Sequence, residues 1–103
     1  MLSTAPIMPQ LTIRPIQEQD WPAILALQAE AYYAVEPESE AVLKSKTTLG
    51  PETCLVACRG AQILGYCLAH PWDARQPAAL YRCYPQPAGE ESLYIHDVVV
   101  SPA

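Results

Sequence analysis

Basic side chains are scarce in this 103-residue chain: six, against eleven acidic ones, for a formal net charge of −5. They are also scattered, at Arg14, Lys44, Lys46, Arg59, Arg75 and Arg82. Nucleic acid and anionic membrane surfaces both recruit clustered lysine and arginine, so neither is expected as a partner. Long apolar runs are missing too. No stretch approaches the ~18 residues that span a bilayer. Met1 to Gln10 lacks a positive n-region and a long apolar core, so it does not read as a signal peptide. Histidine is limited to His70 and His96. The four cysteines are Cys54, Cys58, Cys67 and Cys83, and none forms a CxxC pair. Zinc requires convergent ligands at characteristic spacings, so no metal site is expected. The cysteines read as reduced thiols of a cytoplasmic core. Glycine is equally thin: Gly50, Gly60, Gly65 and Gly89 do not form a phosphate-cradling loop. Lys44 and Lys46 lack the flanking glycines of a P-loop.

What is present fits one small domain. Half the residues are apolar, enough for a core, although a chain this short keeps much of its surface exposed. Residues 1–10 carry Pro6 and Pro9 and no periodicity, and read as a flexible tail. Leu11-Thr12-Ile13-Arg14 alternates apolar and polar, a first strand closed by Pro15. Asp20 is positioned to cap a helix whose first turn holds Pro22. Trp21, Ile24, Leu25, Gln28 and Tyr32 follow helical spacing. Ser39 can cap a second helix running to about Leu49, stopped by Gly50 and Pro51.

The segment from Thr53 to Cys58 is apolar and partly β-branched, and reads as a strand buried on both faces. A turn over Arg59-Gly60-Ala61-Gln62 leads to a second arm from Ile63 to His70, so the two form an antiparallel hairpin. Gly65 inside that arm signals a bulge or a close backbone approach. From Pro71 to Gly89 the prolines forbid a long element, with an extended piece expected around Leu80 to Tyr84. Ser92 to Val100 then reads as a last strand. The expected fold is α+β or α/β, with a mainly antiparallel sheet in the order strand-helix-helix-strand-strand-strand.

That order, with the residues Leu11-Thr12-Ile13-Arg14-Pro15, Gly60-Ala61-Gln62-Ile63-Leu64-Gly65-Tyr66 and Tyr94-Ile95-His96-Asp97-Val98-Val99-Val100-Ser101-Pro102, resembles the first half of the GNAT superfamily. These are the acetyl-coenzyme A-dependent N-acetyltransferases. The resemblance covers Leu11 to Ala103 and implies that residues 11–103 are the N-terminal portion of such a domain. In that family a glycine-rich loop after the fourth strand holds the coenzyme pyrophosphate at a helix N-terminus. The chain ends before such a loop, so weak or absent activity is expected of it alone.

The resemblance also implies roles. His96 matches the position of a catalytic base in several family members, and an imidazole with an ordinary pKa near ~6.5 suits that task. Its plain alternative is a histidine filling space beside the sheet. Asp97 reads as a structural acceptor for backbone or hydroxyl donors. Val98, Val99 and Val100 match the positions whose backbone meets the pantetheine arm of acetyl-CoA. Tyr32, Tyr33 and Glu36 match the link that shapes the acceptor pocket, where acidic and aromatic groups suit a small-molecule or peptide amine; as plain structure, Tyr32 would be core and the other two solvated. Tyr66 and Tyr81 are further candidate liners. Strict alternation on the last strand puts Tyr94, His96, Val98 and Val100 on one face and Leu93, Ile95, Asp97 and Val99 on the other.

An uncovered last strand has a further consequence. Its open backbone groups are a template for pairing, so a homo-oligomer joined through Val98-Val99-Val100 is expected. A non-catalytic, self-associating fragment or interaction module is therefore the alternative to an acyltransferase.

Overall fold

The structure, a computed structural model, describes residues 10–72 and 92–102. The expected tail through residue 9, the extended piece at 80–84, Tyr81 and Cys83 lie outside these residues. The elements run β1 (Leu11–Pro15), one 3-10 turn (Glu18–Asp20), α1 (Trp21–Ala31), α2 (Glu40–Leu49), β2 (Leu55–Arg59), β3 (Gln62–Trp72) and β4 (Ser92–Val100). The strands form one sheet in the order β1-β2-β3-β4, each neighbouring pair antiparallel. Among the described residues the architecture is α+β, an open four-stranded sheet with two helices. Among the described residues no helix is long and apolar enough to cross a membrane.

Helix α1 begins differently from the sequence expectation. Asp20 makes no side-chain cap to it. Instead its two oxygens take the Arg14 guanidinium at 2.7 and 2.8 Å, and Oδ2 accepts the Gln17 N–H at 2.7 Å. A bidentate guanidinium is a stronger partner than a helix amide. Asp20 is therefore drawn back toward β1 and ties that strand to the helix start. The Arg14 hydrogen bonds hold the Asp20 carboxyl below its usual range. Helix α2 follows its signals: Ser39 Oγ accepts the Val42 N–H at 3.2 Å, and Gly50 closes the helix by donating to Lys46 O at 2.9 Å. Thr53 and Cys54 N–H then bond back to Gly50 O, so β2 starts at Leu55, two residues later than expected.

Both helices lie on one face of the sheet. Trp21, Ile24 and Leu27 of α1 and Leu43 of α2 form a core with Val56, Tyr66, Leu68 and Val99. Ile24, Leu43 and Leu68 are wholly buried, each contributing about 1.5–3 kcal/mol of transfer free energy. Strand β2 is thus buried on one face and not on both: Val56 and Cys58 are covered, while Leu55 and Ala57 are half-buried. The hairpin closes through Gly60-Ala61, with Gly60 at φ 61°, where a side chain would be strained. Strand β3 runs on through Pro71 to Trp72. The β2 pairing stops at Cys67, opposite Leu55, so beyond it β3 is paired, among the described residues, with β4 alone, a setting that tolerates proline. Gly65 shows both features expected of it. The β2–β3 register shifts beside its partner Ala57, and a Cβ at residue 65 would stand 2.8 Å from Val99 O.

The opposite face carries apolar side chains in the open. Leu11, Ile13, Leu93, Ile95, Val98 and Val100 are each more than half exposed.

Candidate functional site

The site is made by an irregularity in β4. Leu68 pairs with Asp97, but the next β3 residue, Ala69, pairs with Ile95. His96 is the extra residue of a β-bulge. A bulge resets the side-chain phase of a strand. The strict alternation expected from the sequence is therefore wrong. Tyr94 and His96 share the helix-covered face with Asp97 and Val99, while Leu93, Ile95, Val98 and Val100 turn to the open face. Neighbouring residues His96 and Asp97 thus point into the same region.

Each has a partner from the α1–α2 side. Tyr32, which ends α1, donates its hydroxyl to Asp97 Oδ1 at 2.5 Å. Tyr66 of β3 donates to Oδ2 at 2.6 Å. Asp97 is therefore the acceptor of hydroxyl donors that its sequence context suggested. Burial first, and then the bond to Asp97, push the Tyr66 phenol well above its ordinary range. The bond to Asp97 pushes Tyr32 up to about 12. Both phenols stay protonated near neutral pH and act as donors.

His96 Nε2 lies 2.8 Å from Glu38 Oε1, and the imidazole is only 2% exposed. Glu38 is itself held by its main chain. Gln28 Nε2 donates to Glu38 O and Gln28 Oε1 accepts from Glu38 N–H, both at 3.1 Å. His96 Nδ1 is buried without a hydrogen-bond partner. A second histidine, His70, is wholly buried next to this region, with its ring 5.2 Å from Trp72 and 5.7 Å from Tyr94. Its Nδ1 donates to Pro71 O at 3.1 Å, and burial pushes its pKa down.

A cavity of about 180 Å³ opens between β4 and the α1–α2 connection. Among the described residues its wall includes the carboxylates Glu36, Glu38 and Asp97, no lysine or arginine, and an apolar side from Val35 and Pro37. Of the residues expected around an acceptor, Tyr32 and Glu36 line this cavity. Tyr33 does not; it is 89% exposed. Glu38 and Gln28 had not been singled out as site residues. Gln28 left a signal, because an amide on the apolar stripe of a helix must find partners once buried. Glu38, in the link before a helix cap, left none.

The valines divide. Val99 is buried in the core, while Val98 and Val100 stand on the open face. Ser101 N–H donates to Leu64 O at 2.7 Å. By the alternation of an antiparallel ladder, the N–H and C=O of Val98 and Val100 then point away from β3, along the sheet edge. Beside this edge lies a second cleft of about 300 Å³, walled by Leu27, Glu30, Ala31 and residues 99–102. Among the described residues no cluster of three His, Cys, Asp or Glu side chains is placed to hold a metal ion. No protein-family model and no curated protein matches the chain.

Proposed function

We propose that the chain forms the β1-to-β4 part of an acetyl-coenzyme A-dependent N-acetyltransferase site of the GNAT type, with His96 as the base. The observation that carries this reading is the β4 bulge. It turns a buried imidazole with an unpartnered nitrogen into the wall of an anionic cavity, on the same strand whose Val98 and Val100 backbone groups point away from β3. An acceptor amine arrives as an ammonium ion, and carboxylate walls favour its entry. His96 takes its proton. The nitrogen lone pair attacks the thioester carbonyl carbon, the C–N bond forms, the C–S bond breaks and the leaving thiolate takes the second proton that the nitrogen sheds, giving the amide, the free thiol and the His96 imidazolium. The outward groups of Val98 and Val100 and the cleft beside them fit the amides and apolar links of a pantetheine arm. For the pyrophosphate the described residues offer no cradle: Arg14 and Lys44 are paired with carboxylates and Lys46 is buried. The proposal for the coenzyme therefore extends to its arm alone.

The test is thiol release from acetyl-CoA, followed with a thiol reagent across a panel of small amines and peptides. Acceptor-dependent release should be slow, because the described residues offer the pyrophosphate no cradle, and should fall to background in His96→Gln. No release above background with any amine, or equal rates in the variant, would refute the reading.

One observation favours a second, non-catalytic reading. β4 is an edge of the sheet formed by the described residues, with Val98 and Val100 exposed and no charged side chain on its open face. Such an edge pairs readily with a second copy. Sedimentation should then show a dimer that Val98→Lys disperses; a monomer at micromolar concentration would exclude it.

A further inference from the structure

We infer that Gln28 and Glu38 are positioning residues that set which nitrogen of His96 is basic. The inference rests on the acetyltransferase reading for the role of His96, but its geometry stands independently. A carboxylate can only accept hydrogen bonds, so the 2.8 Å contact with Glu38 Oε1 puts the imidazole proton on Nε2. Nδ1 is left with its lone pair, buried and unpartnered. That is the nitrogen able to take a proton. The carboxylate also stabilises the imidazolium that forms when it does.

The carboxylate has to be held for this to work. Glu38 sits in the connection between α1 and α2, where the backbone has no helix or sheet to fix it. Gln28 supplies the constraint. The residue is 3% exposed and lies on α1, and its side-chain amide bonds both the N–H and the C=O of Glu38. The pair of bonds copies one rung of a strand ladder and fixes Glu38 in position and in rotation. The order of restraint is then helix α1, Gln28 amide, Glu38 backbone, Glu38 carboxylate, His96 Nε2. Two other restraints act on the same connection: Tyr32 is anchored to Asp97 at its start, and Ser39 begins α2 at its end. Among the described residues, the groups facing His96 include Glu38 from the connection, Asp97 next to it on β4, the aromatic ring of Tyr94, 6.3 Å away, and the His70 imidazole of β3, close enough to interact with it electrostatically.

Nitrogen-15 NMR of the chain labelled in its two histidines tests this, with His96→Gln assigning the resonance. Neutral His96 should carry its proton on Nε2, as a downfield signal that exchanges slowly with water. Gln28→Met keeps the volume of the side chain and removes both hydrogen bonds. It should speed exchange of that proton by about tenfold or more, as a loosened local structure does. It should also lower kcat while leaving the KM for acetyl-CoA unchanged. Glu38→Gln, which can donate as well as accept, should do the same and serves if Gln28→Met does not fold. A proton on Nδ1 in the parent chain, or exchange as slow in the variants as in the parent, would overturn the inference. The expected exchange without amine-dependent thiol release would uphold the positioning geometry and sink the acetyltransferase reading instead.

Discussion

Removing one hydroxyl, Tyr66→Phe, probes the centre of the site. The ring stays, and the core around it is unchanged. The bond lost is a donor to an almost buried carboxylate at 2.6 Å. Hydrogen bonds to charged groups contribute about 1.5–3 kcal/mol, against about 0.5–1.5 for neutral pairs. Asp97 keeps its second donor, Tyr32, so its other oxygen is not stranded. The expected loss is therefore about 2 kcal/mol. For a domain of this size that lowers Tm by roughly 8–16 °C. Urea unfolding should show the midpoint move with the slope unchanged. The charge can be isolated with a double-mutant cycle. In Asp97→Asn, one phenol donates to the amide oxygen and the other accepts from the amide nitrogen, so both bonds are neutral. There Tyr66→Phe should cost only about 1 kcal/mol, leaving a coupling of about 1 kcal/mol. The alkaline limb gives an independent check. The folded-state pKa of Tyr66 lies above its unfolded value near ~10. Its stabilisation is thus complete below about pH 10 and is lost as pH rises toward the folded value. Tyr66→Phe should flatten that fall. A cost below about 0.5 kcal/mol, or equal costs in the parent and in the Asp97→Asn background, would refute the assignment of Asp97 as a charged acceptor.

Two further outcomes follow from the packing. The Asp20 carboxyl is held down by Arg14, so its stabilisation is present above the ordinary value near ~3.9 and is lost as pH falls through the folded one. Asp20→Asn should therefore be less stable than the parent near neutral pH and converge with it in acid, as Tm measured against pH would show; parallel curves would contradict this. Gly65→Ala places a Cβ 2.8 Å from Val99 O, a backbone atom that can yield only if β4 shifts. The expected cost is about 1–3 kcal/mol in urea unfolding, and a neutral outcome would mean that β4 is not held this closely.

The polar network explains why the two helices matter to a site built on a strand. Asp97 and His96 face the helices together only because of the bulge, and each is then claimed by the α1–α2 side. Tyr32 and Glu38 bring to β4 two groups that a bare sheet would lack. The cavity is anionic because its donors are phenols and amides and its acceptors are carboxylates. Its shape depends on the connection being held from both ends.

Much of the fold is written in local chemistry. The Ser39 cap, the Gly50-Pro51 stop, the Gly60-Ala61 turn and the apolar runs of β2 to β4 each act within a few residues. Short-range preferences suffice to place such features. His96 and Asp97 also announce themselves, as polar residues in an apolar strand. Other features escape local reading. Asp20 looks like a helix cap, yet Arg14 outcompetes the helix amides for it. The alternation of β4 gives no warning of a bulge, because a bulge is settled by how two strands fit and not by the period of one. The partners of the site are set by distance in space alone: Tyr32 and Asp97 are 65 residues apart, and Glu38 and His96 are 58 apart. Sequence thus sufficed for the elements and their order, since these rest on propensity, capping and turn geometry. The direction in which His96 points, and the carboxylate it meets, belong to the tertiary structure, because both depend on the register of β4 against β3 and on a connection docked across the sheet.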